Sequence, residues 1–388
     1  MSLLQDIRTE TRLAPDSGIS AIIDYGRGRS GLIPMWAGEG DLPTPDFITR
    51  AAVAGLQAGE TFYTWQRGIP DLRQALANYH HRHFGSPSAP EEFLVTGSGM
   101  HAIQMALQAT AGAGDEAVYL SPAWPNFAAA AGVMGAKAVP VELAFSDRGW
   151  TLDVERIAAA ITPKTRVLFV NSPSNPTGWT ADRETLADIL AIARKHGLWI
   201  IADEIYALFH FDGGRAASFV DVMEAEDRII FVNSFSKNWA MTGWRVGWIR
   251  VHPSLQQTFE NLIQYSNSGV PQFLQRGAVA ALEDGDHFVA GQVERAATAR
   301  ELVCRILGAT NRVKLSPPAG AFYLFFAIDG LPDARAAAEE VIDRANVGLA
   351  PGTAFGAGGD GYLRLCFHRR LDEVEEAAHR IARWIRDR

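Results

Sequence analysis

Residues with the chemistry to bind and activate a small organic compound follow five short apolar runs of the sequence. In chain order they are Ser98, Gly99, Met100, Trp124, Asn175, Asp203, Tyr206, Ser234, Ser236, Lys237 and Arg245. A Gly/Ser turn that starts a helix presents backbone N–H groups to a phosphate, an indole stacks on a ring, and a lysine amine bonds to an aldehyde. The set therefore indicates a site for an aromatic, phosphorylated compound that carries an aldehyde.

The other members of this set have the chemistry to tune such a ring. Asp203 could keep a pyridine nitrogen protonated, which would make the ring an electron sink. Asn175 and Tyr206 could donate hydrogen bonds to a ring oxygen. Ser234 and Arg245 could donate to the phosphate. The set thus supplies a partner for each polar part of the compound.

Five strand-like runs alternate with helical stretches along the central part of the chain. The runs are residues 93–95, 118–120, 167–170, 198–202 and 229–232. Between two of them, Arg183–His196 carries Leu186, Ile189, Leu190 and Ala193 at helical spacing. This alternation predicts an α/β fold, with a mainly parallel sheet between layers of helices. Ligands of such sheets bind beyond the carboxyl ends of the strands, which is where the residues above are placed.

The last hundred residues show a different pattern and predict a smaller α+β lobe. Helical stretches at 292–307, 334–345 and 371–388 are interleaved with strand-like runs at 313–315, 321–328 and 362–367. A length of 388 residues agrees with two lobes, since one domain typically has about 100–200 residues.

The composition excludes several classes of protein. With 47% hydrophobic and 21% charged residues, disorder is excluded for most of the chain. The net charge of −8 argues against a nucleic-acid partner. Residues 117–136 are uncharged, but Pro122 and Pro125 favour a strand, a turn and a helix over a membrane span. The N-terminus lacks the apolar run of a signal peptide. Two distant cysteines, Cys304 and Cys366, fit a reducing compartment, so we expect a cytoplasmic protein.

Residues 234–247 (SFSKNWAMTGWRVG) closely resemble the lysine signature of the class I and II aminotransferases, which are pyridoxal-phosphate enzymes of fold type I. Further blocks resemble those of the family in the same order: residues 38–45, Tyr63 with Gly68, Leu72 and Arg73, then 171–178, 203–206, 351–356 and 362–365. The resemblance extends from about Pro34 to the C-terminus.

The resemblance implies how the cofactor, pyridoxal 5'-phosphate, is held. Lys237 would form a Schiff base with it and would act in catalysis together with Asp203 and Tyr206. Asp203 would pair with the pyridine nitrogen, and Tyr206 and Asn175 would contact the ring oxygen. Trp124 would stack over the ring. The other cofactor contacts would be Ser98, Gly99, Met100, Ser234, Ser236 and Arg245.

The resemblance also implies where the substrates bind. Arg364 would hold the substrate α-carboxylate, with Gly38 and Asn175 assisting. Tyr63 would reach the phosphate in a neighbouring subunit, so we expect a homodimer with shared active sites.

The predicted activity is transfer of an amino group between an L-amino acid and a 2-oxo acid. Aspartate or glutamate with 2-oxoglutarate is the default that the resemblance implies. A second substrate carboxylate would need a further cation, and the candidates are Arg27, Arg29, Arg67 and Arg276. Ile19, Trp36 and Trp65 make an apolar or aromatic substrate equally arguable.

Two alternative functions remain at this stage. The first is a β-eliminating carbon–sulfur lyase of the same fold, which would use the same cofactor and lysine. The second is a regulatory module that binds the cofactor without catalysis. Such a module would need a DNA-binding segment before Pro34, and we expect too few residues there to form one.

The sequence departs from the family pattern at three positions. Gly40 and Leu42 stand where the family has proline and phenylalanine, near the expected substrate entrance, and they leave the substrate class open. Met100 replaces a more polar residue, so only its backbone N–H is expected to contact the phosphate.

The block at 38–45 resembles a family segment that packs on the C-terminal lobe. We therefore expect a large cofactor-binding domain at 48–283, and a small domain that combines residues 1–47 with 284–388. No metal site is expected, because the adjacent His80, His81 and His83 would point away from one another around a helix.

Overall fold

The structure is a computed structural model that describes residues 3–146 and 148–388. Thirteen α-helices lie in the described residues: α1 (Thr9–Arg12), α2 (Gly18–Gly26), α3 (Asp46–Gln57), α4 (Pro70–Phe84), α5 (Gly99–Thr110), α6 (Asn126–Val133), α7 (Glu155–Ala160), α8 (Arg183–His196), α9 (Gln256–Gln264), α10 (Gln272–Asp284), α11 (Asp286–Gly308), α12 (Ala334–Glu340) and α13 (Leu371–Arg386). Fifteen strands lie there as well: β1 (Ile33–Pro34), β2 (Phe93–Thr96), β3 (Glu116–Ser121), β4 (Lys137–Glu142), β5 (Ala144–Ser146), β6 (Gly149–Thr151), β7 (Thr165–Asn171), β8 (Trp199–Asp203), β9 (Ile229–Ser234), β10 (Gly247–Arg250), β11 (Val313–Lys314), β12 (Tyr323–Ile328), β13 (Val347–Gly348), β14 (Ala350–Pro351) and β15 (Tyr362–Cys366).

Seven strands form the large central sheet, in the order β2-β10-β9-β8-β7-β3-β4. β10 runs antiparallel to both of its neighbours, and the other strand pairs are parallel. The carboxyl ends of β2, β3, β7, β8 and β9 therefore meet at one edge of the sheet. This sheet confirms the predicted α/β fold with mainly parallel strands.

Helices cover both faces of the central sheet with apolar side chains. The predicted stripe of α8 is buried against one face, and α5 and α9 pack on the other face. The sequence sets both ends of α8. The Asp182 carboxylate accepts a hydrogen bond from Thr185 N at 2.8 Å, and Gly197 ends the helix at φ 66°, a conformation that glycine adopts without steric cost.

A smaller antiparallel sheet, in the order β11-β12-β15-β14, packs with helices from both ends of the chain. β1 pairs in parallel with β13, where Ile33 lies opposite Val347. Ile22 and Trp36 belong to the same apolar cluster as the buried faces of α11 and α13. The smaller α+β part of the fold is thus made from both chain ends, as the sequence predicts.

The exact domain boundaries stay a prediction, with a large domain at 48–283 and a small domain that combines 1–47 with 284–388. α10 ends at Asp284 and α11 begins at Asp286, which lies close to the second predicted boundary. Residues 1 and 2 of the predicted small domain lie outside the described residues.

The uncharged stretch at 117–136 forms β3, a turn that contains Pro122 and Pro125, and α6. Within residues 3–146 and 148–388, no helix has the length and apolar character needed to cross a membrane. The stretch thus has the strand, turn and helix that the two prolines favour.

Candidate active site

A cavity of about 500 Å³ lies at the carboxyl ends of β7, β8 and β9. Most of the sequence-predicted site residues line it: Gly38, Gly99, Met100, Trp124, Asn175, Asp203, Tyr206, Ser234, Ser236, Lys237, Arg245 and Arg364. Of the predicted set, Ser98 and Tyr63 lie outside the described lining of this cavity. The parallel strands thus bring together residues that are far apart in the sequence.

Lys237 lies in the loop after β9 and projects into the cavity. Its Nζ donates a hydrogen bond to Gly38 O at 2.6 Å. Burial lowers the pKa of Lys237 to about 8, and the positive charges of Arg364 and Arg245 act in the same direction. A minor part of this amine is therefore neutral near physiological pH, far more than for an ordinary lysine, which suits a nucleophile or a base.

Asp203 is the last residue of β8, and its carboxylate is buried. In the described part of the chain, one N–H group donates to this carboxylate, that of Ile205 at 3.3 Å. Burial raises the pKa of Asp203 to about 7. A buried carboxylate with so weak a donor has the capacity to accept a strong hydrogen bond from a cationic ring N–H.

Glu204, the next residue, points to the opposite side and has its own partners. Ser218 Oγ donates to it at 2.7 Å, and Phe219 N donates at 3.1 Å. Burial also raises the pKa of Glu204 to about 7. The two neighbouring carboxyls therefore differ in surroundings, and only Asp203 lines the cavity.

Tyr206 and Tyr323 form a pair of buried phenols in the cavity wall. Their hydroxyl oxygens are 2.7 Å apart, and burial raises the pKa of Tyr206 well above its ordinary value. Tyr206 is therefore a neutral hydrogen-bond donor at physiological pH. Sequence reasoning missed Tyr323, although a phenol at the start of the apolar strand YLFFAI was the available signal.

Arg364 lies in β15 and is 2% exposed. Its Nη1 donates to Asn175 Oδ1 at 3.0 Å, and its Nη2 donates to Trp36 O. The guanidinium lies 4.7 Å from the centre of the Tyr323 ring. Its Nε has no partner in residues 3–146 and 148–388, so a buried donor points to a missing acceptor, such as a substrate carboxylate.

The turn before α5 and the strand beside it form a close backbone cradle. Ser98 has φ 146°, and its Oγ accepts a hydrogen bond from His101 N at 3.0 Å, which caps α5. A Cβ at Gly247 would lie 2.7 Å from the carbonyl carbon of Ser98 and 2.8 Å from Gly99 N. Glycine at 247 therefore allows the start of α5 to approach the sheet, where its backbone N–H groups can bind an anion.

Three further residues that could donate to an anion line the same cavity. Ser234 Oγ is 2.8 Å from Ser236 Oγ, and the Arg245 guanidinium donates to Thr242 O at 2.7 Å while lining the cavity. The donor set fits pyridoxal 5'-phosphate: the cradle suits its phosphate, Asp203 its ring nitrogen and Lys237 its aldehyde.

Tyr63 lies on the surface, away from the cavity. It is 95% exposed, and Phe62, Trp65 and Tyr265 are exposed as well. The predicted contact of Tyr63 with a phosphate is not made within this chain.

The arginines considered for a second substrate carboxylate lie outside the described lining of the cavity. Each is paired with a carboxylate of the chain: Arg27 with Asp24, Arg29 with Asp343, Arg67 with Glu260, and Arg276 with Glu60. Of the apolar candidates, Ile19 lines the cavity, Trp36 is buried and Trp65 is exposed.

The three neighbouring histidines, His80, His81 and His83, lie in different surroundings and share no common partner among the contacts of the described residues. His80 is buried and receives a hydrogen bond from Trp248 Nε1 at 3.3 Å, His83 lies 2.9 Å from Asp286, and His81 is exposed. Among the described residues, no group of His, Cys, Asp or Glu has the arrangement to hold a metal ion.

Gly40 and Leu42 lie behind Lys237 and outside the described lining of the large cavity. A Cβ at residue 40 would lie 2.7 Å from His368 Cδ2. His368 Nε2 is 2.8 Å from Gln292 Oε1, and Gln292 Nε2 donates to Asn238 O, next to the lysine. The departure at Gly40 thus makes room for His368.

Gly40→Ala should therefore destabilise the protein by about 1–3 kcal/mol, the usual cost of overpacking. The same change in a His368→Ala background should cost much less, because the imidazole is gone. Urea unfolding of the four proteins measures this coupling. Gly112→Ala is the control, since nothing lies within 4 Å of a Cβ there. Equal costs in the two backgrounds would show that His368 does not exclude a side chain at residue 40.

Comparisons with known proteins agree with this geometry. Residues 32–381 match the family described as "Aminotransferase class I and II". An arginine–pyruvate transaminase of Pseudomonas aeruginosa is 34% identical, over 90% of this chain and 89% of the relative. An aspartate aminotransferase of Thermotoga maritima is 32% identical, over 99% of both chains. A solved aspartate aminotransferase of Thermus thermophilus has a TM-score of 0.90 and 32% identity, over 97% of this chain and 99% of that one.

Proposed function

The chain belongs to the class I and II aminotransferases and is a pyridoxal-phosphate-dependent enzyme that transfers amino groups, and we propose that Lys237, Asp203 and Arg364 perform this reaction. The observation that carries the proposal is their convergence on one cavity from β9, β8 and β15. The substrates of the enzyme are an amino acid and a 2-oxo acid, as the family implies.

Pyridoxal phosphate, when bound, supplies an aldehyde for the amino group and a ring that accepts electrons from the substrate Cα. Asp203 would accept a hydrogen bond from the ring nitrogen and so keep it protonated. Tyr206 would donate to the ring oxygen, with Asn175 beside it, and Trp124 would stack on the ring. The start of α5, Ser234, Ser236 and Arg245 would hold the phosphate.

Arg364 fixes the α-carboxylate of the substrate and so sets the direction of the Cα–H bond. Its planar guanidinium is held by Asn175 and Trp36, which leaves Nε for the incoming oxygen. Lys237 Nζ then removes the Cα proton. Its lowered pKa leaves part of the amine neutral for this step.

A direct assay separates this function from the lyase alternative. The enzyme loaded with pyridoxal phosphate is mixed with single amino acids, and the amino form of the cofactor and the 2-oxo acid are measured together. Transamination yields both in equal amounts in one turnover. Production of pyruvate and ammonia from cysteine or cystathionine, without the amino form, would instead establish the lyase.

Arg364→Lys tests the carboxylate contact. We expect kcat/KM for every amino donor to fall by about 10- to 100-fold, with most of the effect in KM, because an ammonium lacks the planar, fixed donors by which a guanidinium is held and directed at a carboxylate. The exposed Arg370, which pairs with Asp372, gives the matched control Arg370→Lys. A normal KM in Arg364→Lys would contradict the assignment.

The proposal includes a homodimer with shared active sites. The exposed aromatic side chains around Tyr63 support it, because contiguous exposed apolar residues often mark protein interfaces. Residues 60–64 and 267–271 line a shallow cavity at this surface. Tyr63 would cross into the phosphate site of the neighbouring subunit.

We also propose a cytoplasmic location and the predicted division into a domain at 48–283 and a domain of both chain ends. Cys304 and Cys366 are unpaired thiols, which supports a reducing compartment. The shared apolar cluster of Ile22, Trp36 and the C-terminal helices supports the division. Neither a nucleic acid nor a membrane is part of the proposal, and the net charge of −8 agrees with this.

A further inference from the structure

The hydroxyl groups of Tyr206 and Tyr323 share one hydrogen bond, and its direction depends on what else Tyr206 does. Tyr206 follows β8, Tyr323 begins β12, and their oxygens are 2.7 Å apart. A phenol has one proton to donate. In the proposed function Tyr206 uses its proton on the ring oxygen of the cofactor. The Tyr206 oxygen must then accept the proton of Tyr323.

Close packing fixes the Tyr323 side chain in this position. A Cβ at Gly38 would lie 2.6 Å from the Tyr323 hydroxyl oxygen, so the hydroxyl lies directly against the backbone there. The rings of Tyr206 and Tyr323 meet edge to face, with their centres 5.7 Å apart. Both side chains are buried. The contact is therefore made inside one chain and needs nothing from a neighbouring subunit.

The charge beside Tyr323 favours this phenol as the donor of the pair. The Arg364 guanidinium lies 4.7 Å from the centre of the Tyr323 ring. Burial raises the pKa of Tyr323, and the positive charge of Arg364 opposes that rise. A nearby cation thus makes the Tyr323 proton easier to share. In a buried chain of hydrogen bonds, each donated bond polarises the next one and strengthens it.

We propose that Tyr323 is a positioning residue, which donates its hydroxyl proton to Tyr206 and so holds the Tyr206 hydroxyl as a donor to the ring oxygen of the cofactor. This inference rests on the proposed function. Tyr323 acts through Tyr206 and does not need to touch the cofactor.

The test follows the visible absorbance of the enzyme loaded with pyridoxal phosphate as the pH is raised. The midpoint of this titration reports loss of the proton shared by the ring oxygen and the lysine nitrogen. A hydrogen bond donated to the ring oxygen stabilises its anionic form and therefore lowers the midpoint. Tyr323→Phe should decrease the acid dissociation constant by about 2- to 5-fold, which raises the midpoint by roughly 0.3–0.7 pH unit. Tyr206→Phe should raise the midpoint further.

The double variant separates an effect through Tyr206 from any other effect. In a Tyr206→Phe background, Tyr323→Phe should move the midpoint no further, because the donor that it supports is gone. Tyr362→Phe is the matched control. It removes a phenol from β15, the strand beside β12, outside the described lining of the cavity, and should leave the midpoint unchanged. Each change removes a single hydroxyl and keeps the ring, so the variants should fold.

Three outcomes would count against the inference. An unchanged midpoint in Tyr323→Phe, beside a raised one in Tyr206→Phe, would overturn it and leave the proposed function intact. An equal rise from Tyr323→Phe in both backgrounds would overturn it too, because Tyr323 would then act without Tyr206. An unchanged midpoint in Tyr206→Phe itself would overturn both the inference and the part of Tyr206 in the proposed function.

Discussion

Lys237→Ala is expected to lower transamination by at least about 10⁴-fold, because a general base typically contributes 10²–10⁴ and the covalent link to the cofactor is lost as well. The variant should also lose the visible absorbance of cofactor bound to lysine. Its fold should persist, since the side chain forms one hydrogen bond, to Gly38 O at 2.6 Å. Absorbance spectra and single-turnover rates of the purified holoenzyme measure both effects.

Lys237→Arg is the matched control for this prediction. Arginine keeps the positive charge and has donors for Gly38 O, but its guanidinium does not lose a proton at any pH of interest. We expect it to be as inactive as Lys237→Ala. Substantial turnover by either variant would show that another residue carries the proton, and the mechanism given above would then be wrong.

Asp203→Asn is expected to produce opposite effects on activity and on stability. Activity should fall by at least about 10²-fold, because the loss of a charge-assisted hydrogen bond worth roughly 3 kcal/mol reduces the rate by that factor. The apoprotein, in contrast, should become more stable at neutral pH. The reason is that burial raises the pKa of Asp203 from 3.8 to about 7, so its ionised form is unfavourable in the folded protein.

The sign of the pH dependence follows from this raised pKa. Between pH 3.8 and about 7 the Asp203 carboxyl binds a proton in the folded protein that it has released in the unfolded chain. The stability that this bound proton contributes is therefore lost as the pH rises. At pH 7 and above, the resulting loss in the free energy of unfolding approaches roughly 4 kcal/mol. Asparagine does not ionise, so the free energy of unfolding of apo Asp203→Asn should lack this decline. Urea unfolding at pH 4, 5.5 and 7 measures it.

Glu204→Gln separates the effect on activity from the effect on apoprotein stability. Burial raises the pKa of Glu204 from 4.5 to about 7, so this variant should show a similar gain in apoprotein stability. Its side chain contacts Ser218 and Phe219 rather than the cavity, so activity should stay near that of the unchanged enzyme. Equal losses of activity in Asp203→Asn and Glu204→Gln would contradict a special role for Asp203.

The sequence contained enough to place most of the site, for a physical reason. Parallel strands end at the same edge of a sheet, so residues that follow such strands are brought together whatever their separation along the chain. Asp203 ends β8 and Lys237 follows β9 in this way. Arg364 lies in a strand of the smaller sheet, and only its resemblance to a family block identified it.

The parts that sequence reasoning missed depend on contacts between distant elements. Tyr323 sits in an apolar strand, and its contact with Tyr206 requires the smaller sheet to pack at that place. Residue 40 has no room for a side chain because the His368 ring, more than 300 positions away in the sequence, lies against it. Strand β10 was missed as well, because it has only four residues and begins at the last residue of the signature.

The pairing of β1 with β13 has a consequence for when the enzyme becomes active. Gly38 follows β1, and Arg364 follows β13, so the substrate-binding groups come from opposite ends of the chain and Lys237 from its middle. During synthesis the central sheet can emerge with its lysine and phosphate cradle long before the last strands are made. Pairings over such long separations form late in folding. A nascent chain could then present a reactive lysine, but the completed chain alone can select its substrate.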